Sequence, residues 1–528
     1  MKSIYKTIKI YSSVLLLTGA LFSCSESKMD EINKDNDHTQ DVPAKFILTD
    51  VITSTAFQSV GGDFNTYMSS YVEHEVGIYN QLWNAETRTA EVTSATTFNN
   101  IWTTLYSNLK NARIIIAKCS EGGSQAGNYT TKGMGEVLAA ISSALLTDAF
   151  GDTPYSEAAL PLKDGKPQFM NPNIDKQESI YKSIFQYLDD AIADLPKGDT
   201  HVTGGPAGQD LLYKADAKKW LKLAYGLKAR YTMHLLYKST NQTTDLTNIL
   251  EYIDKSFTGT GDEAAFAIYD ITNVNPSFDL FDSREYLAAS KSMSKKLIER
   301  NDPRLHRVYI SKLDSKGKST QLTGSDDAGF LMAPNGSPLQ QQRYYNTSIF
   351  GLSQTAPTMF MSYHELLFLK AEALQRLGKP ANEVKEVLKA AVVAGFANTE
   401  RSIDASLNNG AGYEIVANGT EAISSTEAGK YFDDEIAGRF DADPLKEIMI
   451  QKYIALWGAS GESTETYNDV RRLKAEGKDY YNLENTGKFP LRCPYGADDT
   501  SANPNVKAAY GDGQYVYSEK VWWAGGSR

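Results

Sequence analysis

The chain has 528 residues, of which 41% are hydrophobic and 23% are charged, so it can bury a large core as one big domain or as two to three smaller ones. Its formal net charge of -11 argues against a nucleic-acid partner and against charge-driven binding to anionic lipid. Cys24, Cys119 and Cys493 are too few for a disulfide scaffold. A bridge between positions 119 and 493 stays open, but two separate buried thiols are favoured.

The first 23 residues have the pattern of a secretory signal peptide. Lysines at positions 2, 6 and 9 precede a short apolar stretch, residues 10–22, which is shorter than the about 20 residues that span a bilayer. Leu21-Phe22-Ser23-Cys24 resembles the lipobox of bacterial lipoproteins, which implies lipid on Cys24. The alternative is a plain signal peptide with an incidental cysteine. Residues 24–40 are polar and predict a flexible tether.

Apolar residues at helical spacing predict a mostly α-helical body. The predicted helices cover residues 42–57, 98–118, 134–150, 175–195, 216–237, 362–377, 383–393 and 444–459. Asp175-Lys-Gln-Glu178 is similar to a capping box at a helix start. The pair at 362–393 is close to one tetratricopeptide-type unit, yet a clean 34-residue period is absent. We therefore expect an irregular helical superhelix.

Long polar segments separate these helices, at 198–213, 257–290, 311–357 and 395–440. Loops of this length in a folded domain are usually functional or disordered. Segment 262–355 is too rich in aromatic residues for disorder. We therefore expect a single domain over residues 41–528. In it, a loop-rich, aromatic-rich subdomain with some short strands lies on the helical scaffold, and the insertions are 257–357 and 395–440.

A turn follows the predicted helix 134–150. Gly151 tolerates the left-handed backbone that ends a helix, and Pro154 lacks a donor and fixes φ, so the plain interpretation is a structural corner with a packed tyrosine. The octapeptide Gly151-Asp-Thr-Pro-Tyr-Ser-Glu-Ala158 also resembles the "GD-x-PYSEA" signature of SusD/RagB-like outer-membrane nutrient-binding lipoproteins. Further short blocks, scattered over about residues 24–523, also resemble that family and occur in the same order as in its members. They are Met29–Asn33, Trp102–Ala112, Lys214–Leu235, Asn301–Leu305, Asn468–Arg472 and Phe489–Tyr495.

The resemblance implies a function in nutrient uptake. Family members are lipid-anchored at the outer membrane, facing the cell exterior, and act as a lid on a TonB-dependent, SusC-like transporter to which they pass an oligosaccharide or oligopeptide. The signature residues are expected to be structural: Gly151, Asp152, Pro154, Tyr155 and Glu157. The C-terminal block departs from the family pattern, because Gly496 stands where a proline is usual and Asp498-Asp499 stands near the usual glutamate.

Aromatic side chains in polar segments without helical periodicity are the candidate ligand contacts, because a flat ring can stack on a sugar ring or a peptide side chain. The candidates are Tyr67, Tyr79, Trp83, Phe281, Tyr286, Tyr344 and Tyr345. Each of these rings has the alternative role of packing in the core, which is the commoner fate of an aromatic residue.

Catalysis, a metal site and a cofactor are not expected. The six histidines have no zinc-ligand spacing, and no nucleophile elbow or phosphate loop is present. A pair of catalytic carboxylates could still hide among 65 acidic residues. Two alternatives to nutrient binding therefore stay open: a surface glycan hydrolase or peptidase, and a helical scaffold that binds only proteins.

Overall fold

A computed structural model describes residues 42–89, 97–201, 205–310, 318, 329–414 and 421–528. The α-helices are α1 (Ala44–Ser54), α2 (Asp63–Tyr71), α3 (Asn80–Thr87), α4 (Thr97–Cys119), α5 (Tyr129–Phe150), α6 (Gln177–Asp194), α7 (Ala217–His234), α8 (Gln242–Asp254), α9 (Pro276–Arg284), α10 (Lys291–Ile298), α11 (Arg304–Val308), α12 (Tyr363–Arg376), α13 (Ala381–Leu407), α14 (Ser425–Tyr431), α15 (Ala437–Ala442), α16 (Pro444–Ala455), α17 (Ser463–Ala475), α18 (Ala497–Ala502) and α19 (Pro504–Tyr510). Turns of π-helix are Thr55–Val60 and Phe432–Ile436, and turns of 3₁₀-helix are Leu195–Lys197, Leu235–Lys238, Thr260–Asp262, Ile349–Leu352 and Trp522–Ala524.

Short strands pair in antiparallel ribbons of two. The strands are β1 (Glu75–Gly77), β2 (Thr153–Pro154), β3 (Ile174–Asp175), β4 (Ala264–Phe266), β5 (Leu287–Ala289), β6 (Tyr309–Ile310), β7 (Thr347–Ser348) and β8 (Thr358–Met361). The pairs are β1 with β5, β2 with β3, β4 with β8 and β6 with β7. Four of these strands, β4, β5, β6 and β7, lie in the segment 257–357, where short strands were expected between the helices.

Neighbouring helices in the chain pack on each other, which confirms the predicted mostly α-helical, tetratricopeptide-like scaffold. α4 packs on α5, α5 on α6, α7 on α8, and α12 on α13. These helices and the segments laid on them form one compact unit, Ala44–Arg528. α5 is long and apolar enough to cross a membrane, but 94% of its most apolar window is buried inside the unit, as in a core helix.

Two local predictions were wrong. The segment 395–440 is largely helical, because α13 continues to Leu407 with Phe396 and Ile403 in the core, and α14 and α15 follow. The expected capping box at the start of α6 is absent. Asp175 instead accepts hydrogen bonds from the backbone N–H groups of Tyr155 (3.1 Å) and Ser156 (2.8 Å), so its carboxylate stabilises the preceding corner rather than the helix.

Gly151 and Asp152 join α5 to α6 and to the C-terminal part of the chain. Gly151 ends α5 with φ +78°, a left-handed value that glycine adopts without strain. Asp152 accepts from the backbone N–H of Gln177 at 2.8 Å, at the start of α6. Its carbonyl accepts from the Tyr495 hydroxyl at 2.9 Å, and the Arg492 guanidinium donates to the Phe150 carbonyl. The first half of the octapeptide is thus a junction of three segments.

Residues from other segments of the chain hold the second half of the octapeptide in place. The Pro154 carbonyl accepts from the hydroxyl of Tyr106 at 2.6 Å, and the ring of Tyr155 is buried. Glu157 accepts from the backbone N–H of Asn173 at 2.8 Å, which closes the loop that follows the corner. All five signature side chains or backbones therefore have a structural partner or a buried position.

Substituting Gly151 by alanine is expected to destabilise the protein by about 1–3 kcal/mol, since a β-carbon there would be both strained at positive φ and crowded. It would lie 2.8 Å from a terminal nitrogen of Arg492 and 3.2 Å from the Arg528 carbonyl. Gly122 is the matched control, because it has φ +81° and nothing within 4 Å of a β-carbon. Equal losses for Gly122→Ala and Gly151→Ala in urea unfolding would show that crowding contributes nothing.

The structure gives a steric reason why glycine, and not the proline usual in the family pattern, stands at position 496. A β-carbon at Gly496 would lie 2.5 Å from the ring of Trp102, so this position has no room for the usual proline. The indole N–H of Trp102 donates to Asp499 at 2.5 Å, and Asn503 donates to the Pro172 carbonyl at 2.9 Å. The C-terminal block therefore packs over α4 and over the loop after the signature corner.

The two cysteines that the structure describes are separate and buried, as favoured from the sequence. Burial raises the pKa of Cys119 and of Cys493 to about 12, so both side chains are thiols at neutral pH. Cys24, the expected lipidation site, lies outside the described residues.

Buried histidines on α7 and α12 are hydrogen-bonded to carboxylates. His234 lies between Asp148, at 3.1 Å from Nδ1, and Glu465, at 2.9 Å from Nε2. His364 contacts Glu462 at 3.2 Å. Both histidines lie in the core. His234 has partners on both ring nitrogens, whereas the buried Nδ1 of His364 has no hydrogen-bond partner among the described residues.

Stability is expected to fall as the pH rises through the titration of His234. Burial alone would lower its pKa, but the charges of Glu465 and Asp148 outweigh burial and raise the pKa from 6.5 to about 9. The contribution is therefore full below pH 6.5 and lost between pH 6.5 and 9, by up to about 3 kcal/mol. We expect the difference in unfolding free energy between wild type and His234→Gln to shrink across that range. A constant difference from pH 6 to 9.5 would contradict this.

Candidate functional site

Four of the candidate aromatic residues lie on segments that contact one another at the protein surface. The rings of Tyr79 and Tyr286 lie 5.4 Å apart at 40°. Trp83 follows Tyr79 by one turn of α3, and its indole N–H donates to the Pro338 carbonyl at 2.9 Å. Tyr79 and Tyr344 are 36% and 37% exposed, and Trp83 and Tyr286 are half-buried. We call the surface formed by Tyr79, Trp83, Tyr286 and Tyr344 the aromatic platform.

A short β-ladder brings the first two rings together. In the antiparallel pair of β1 and β5, the last residues opposite each other are Gly77 and Leu287. The next hydrogen bond joins the Ile78 N–H to the Tyr286 carbonyl at 2.8 Å. Tyr79 then begins α3 with an extended backbone. Two tyrosines from distant parts of the chain thus leave the same end of one ladder and touch.

The loop 334–346 carries Tyr344, and hydrogen bonds to Glu86 tie this loop to α3. Glu86 accepts from the Gly336 backbone N–H at 2.7 Å and from the Ser70 hydroxyl at 2.6 Å. Burial raises the pKa of Glu86 to about 7. The Tyr345 hydroxyl accepts from the Leu339 N–H at 2.9 Å. These bonds fix the loop, so the platform is preorganised.

The structure places the other three candidates inside the protein. Tyr67 is 4% exposed and packs on Phe98, while Phe281 and Tyr345 are each 6% exposed. Tyr345 belongs to a small apolar cluster beneath the platform, formed with Val76, Ile78, Ala288 and Ala333. It supports the ring of Tyr344, which meets it edge-on at 4.9 Å.

The premise that the candidates lie in irregular loops was wrong for three of them. Tyr67 lies on α2, Trp83 on α3 and Phe281 on α9. These helices have eight or nine residues. That is too short for an apolar repeat of several turns to stand out in the sequence.

Polar residues around the platform were not singled out from the sequence. Gln81 and Asn84 are exposed on α3 beside Tyr79 and Trp83, and Gln340-Gln-Gln342 is an exposed run in the loop. Leu339, 54% exposed, is the apolar residue of that rim. The glutamine run next to two tyrosines was the available signal, because amide groups beside rings suit recognition of hydroxyl-rich ligands.

A small cavity lies between the platform and the core. Its volume is about 40 Å³, enough for one to three water molecules but not for a sugar ring. Tyr286 and Glu75 line it, and the indole N–H of Trp457 donates to Glu75 at 2.9 Å. Burial raises the pKa of Glu75 to about 8, so its carboxyl group is protonated at neutral pH. This cavity beneath the platform therefore cannot hold a sugar ring.

Metal chemistry finds no support in the described ranges, where no group of three or more His, Cys, Asp and Glu is placed to hold an ion. Exposed amide side chains surround the rings of the platform, and the ion pair between Arg343 and Glu285 lies at its edge. Such a surface can bind a ligand by stacking and hydrogen bonding.

Known proteins resemble this chain over most of its length. A family profile described as "Starch-binding associating with outer membrane", of the SusD-like type, matches residues 36–495. A SusD/RagB family protein from Bacteroides thetaiotaomicron VPI-5482 has a crystal structure with a TM-score of 0.86 and 52% identity, covering 92% of this chain and 100% of that one. No curated protein sequence matches this chain significantly.

More distant structures share the fold. A chitin-binding protein is 21% identical with a TM-score of 0.68, over 92% of this chain and 99% of that chain. A chitin-binding SusD homolog from Flavobacterium johnsoniae is 17% identical with a TM-score of 0.64, over 90% of this chain and 98% of that one.

Proposed function

This chain belongs to the SusD-like family, which is described by starch binding and association with the outer membrane, and on this premise we propose that it captures a nutrient at the cell surface. The nutrient is an oligosaccharide or an oligopeptide. The protein passes it to a TonB-dependent, SusC-like outer-membrane transporter and acts as a lid. Lipid on Cys24 anchors it, with the residues up to position 40 as the tether.

The aromatic platform is the observation that carries this proposal. Faces of Tyr79, Trp83 and Tyr344 are available at the surface, and rings of this kind stack on the apolar faces of sugars. Amide groups of the glutamine run can donate to and accept from sugar hydroxyls. Two proteins of the same fold carry the description chitin-binding, which favours a glycan over a peptide.

Binding without turnover is the mechanism we propose. Calorimetric titration of the purified protein with malto- and chito-oligosaccharides, and with peptides of mixed sequence, tests the ligand class. Saturable glycan binding with no change in glycan length on incubation supports the proposal. Shortened glycans or cleaved peptides would favour a surface hydrolase or peptidase instead.

The transporter partner has its own test. The chain, tagged at its C-terminus, is extracted with mild detergent from membranes of cells that express it, and mass spectrometry identifies what co-purifies. A stoichiometric TonB-dependent barrel protein supports the lid role. A protein that purifies alone would contradict that role, and partners without any glycan or peptide affinity would favour a protein-binding scaffold.

A further inference from the structure

A concave surface lies beside the platform. It is a polar cleft of about 520 Å³ between the π-helical turn Thr55–Val60, α4 and α9. That volume is within the range of about 300–1,000 Å³ typical of small-molecule sites. The side chains that matter here are Phe57, Gln58, Asn100, Thr104, Asp279 and Arg284.

The wall formed by Phe57 and Gln58 depends on an unusual backbone. Both residues lie in the π-helical turn that follows α1, and single π-helical turns occur frequently at functional sites. Two glycines make the turn possible. A β-carbon at Gly61 would lie 2.7 Å from the Ala56 carbonyl, and one at Gly62 would lie 2.5 Å from the Phe57 carbonyl. The π-helical turn, which leaves no room for a β-carbon at these two glycines, therefore places the side chains of Phe57 and Gln58 at the cleft.

The cleft offers both donors and acceptors of hydrogen bonds. Gln58 is held by the Thr104 hydroxyl, which donates to its Oε1 at 3.2 Å, so its NH₂ group is oriented to donate to a ligand. Arg284 is exposed and forms no ion pair within the part of the chain that the structure describes, and Asp279 on the same helix is an exposed acceptor. Charges of both signs do not select a strongly charged ligand, whereas a neutral sugar can both donate and accept.

An apolar ring completes the cleft. Phe57 is half-buried, and its position is fixed by edge-to-face contacts with Phe266 at 5.7 Å and Tyr269 at 5.2 Å. A rigid ring among amides, hydroxyls and charged groups is the combination that suits a saccharide, whose rings have apolar faces and polar edges.

The cleft and the platform are adjacent. Arg284 lines the cleft and Tyr286 belongs to the platform, so their α-carbons are at most about 7 Å apart. Between them, Glu285 has a left-handed backbone at φ +49° and pairs with Arg343. The Gln342 side chain donates to the Arg284 carbonyl, so the loop that carries Tyr344 also holds the end of α9.

We infer that the cleft is a second saccharide subsite, and that a glycan bound on the aromatic platform continues past the C-terminal end of α9 into it. The inference rests on the proposed glycan binding and adds a length requirement. Short glycans occupy the platform alone, and longer ones contact Gln58 and Arg284 as well.

The double variant Gln58→Ala/Arg284→Ala tests the subsite with malto- and chito-oligosaccharides of three and six residues. Both side chains are exposed, so the fold is retained, which circular dichroism verifies. For whichever hexasaccharide wild type binds, we expect about tenfold weaker affinity, because two hydrogen-bonding groups are lost. The loss for the matching trisaccharide is expected to be smaller. Lys182→Ala/Gln186→Ala, which removes an exposed cation and amide from α6, is the matched control.

The outcomes separate this inference from the proposed function. Equal hexasaccharide affinities for the double variant and the control overturn the subsite and leave glycan binding intact. Equal losses for the hexasaccharide and the trisaccharide overturn the length requirement. If wild type binds no oligosaccharide of either series, the proposed glycan binding fails and the subsite fails with it. A second variant, Thr103→Trp, which fills the cleft from α4, is expected to reproduce the hexasaccharide loss.

Discussion

Replacing Arg472 by methionine is expected to lower the free energy of unfolding by about 3–5 kcal/mol, which is the range for removing one partner of a buried ion pair. Arg472 and Glu372 are both 0% exposed. The guanidinium donates to the two oxygens of Glu372 at 2.6 and 2.9 Å and to Asp469 at 2.8 Å. Without it, two buried carboxylates lose their shared partner. Equilibrium urea unfolding, followed by tryptophan fluorescence, measures the loss.

Arg472 belongs to a network of buried charges. Lys452 contacts Asp469 at 2.7 Å, and Arg376 contacts Glu372 at 2.8 Å, so each carboxylate keeps one cation. The pKa of Glu372 is held far below its ordinary value, because Arg472 and Arg376 outweigh the burial of the carboxyl group.

A double-mutant cycle checks that the lost pairing causes the effect. Arg472→Met/Glu372→Leu removes both charges, and we expect it to lose less stability than the sum of the two single variants. Lys182→Ala is the control for an exposed pair, because Lys182 and Glu178 are 74% and 55% exposed, and its effect should stay within about 0.5 kcal/mol. Additive losses in the cycle would contradict the explanation.

The substitution Trp83→Ala is expected to weaken binding of the glycan identified by titration by about 10- to 100-fold, which corresponds to about 1.4–2.8 kcal/mol. Two effects act together. The variant loses the indole face beside Tyr79, and it loses the hydrogen bond from the indole N–H to the Pro338 carbonyl that anchors the loop.

Two further variants separate the ring from the anchor. Trp83→Phe keeps an aromatic face but cannot donate to Pro338, so a loss of a few-fold would assign most of the effect to stacking. Trp522→Ala is the matched control. Trp522, near the C-terminus, is also half-buried, but its ring contacts Lys238 and not the platform. Unchanged glycan affinity for Trp83→Ala would remove Trp83 from the site.

The helices were predictable because their signal is local. Apolar residues repeat every three to four positions along α4, α5 and α7, and glycine or proline follows many helix ends, so a window of the sequence contains the information. The same holds for the corner at Gly151. Where the helix is short, as in α3 and α9, the window is too small and the prediction failed.

The sequence predicted that aromatic residues form the candidate binding surface, but it did not predict which of them lie there. Tyr67 and Tyr79 look alike in the sequence, yet Tyr67 is packed on Phe98 and Tyr79 is exposed beside Tyr286. Exposure of a ring depends on residues far away in the chain, because burial results from packing between elements and not from local propensity.

By itself, then, the sequence determined the helical scaffold, the signature corner and the family likeness, because each of these depends on residues that are close together in the chain. Only the tertiary structure decided which aromatic side chains form the platform. It did so through the ladder of β1 and β5, whose pairing joins residues about 210 positions apart. Such pairing depends on register and on side-chain packing between distant segments, neither of which leaves a local pattern.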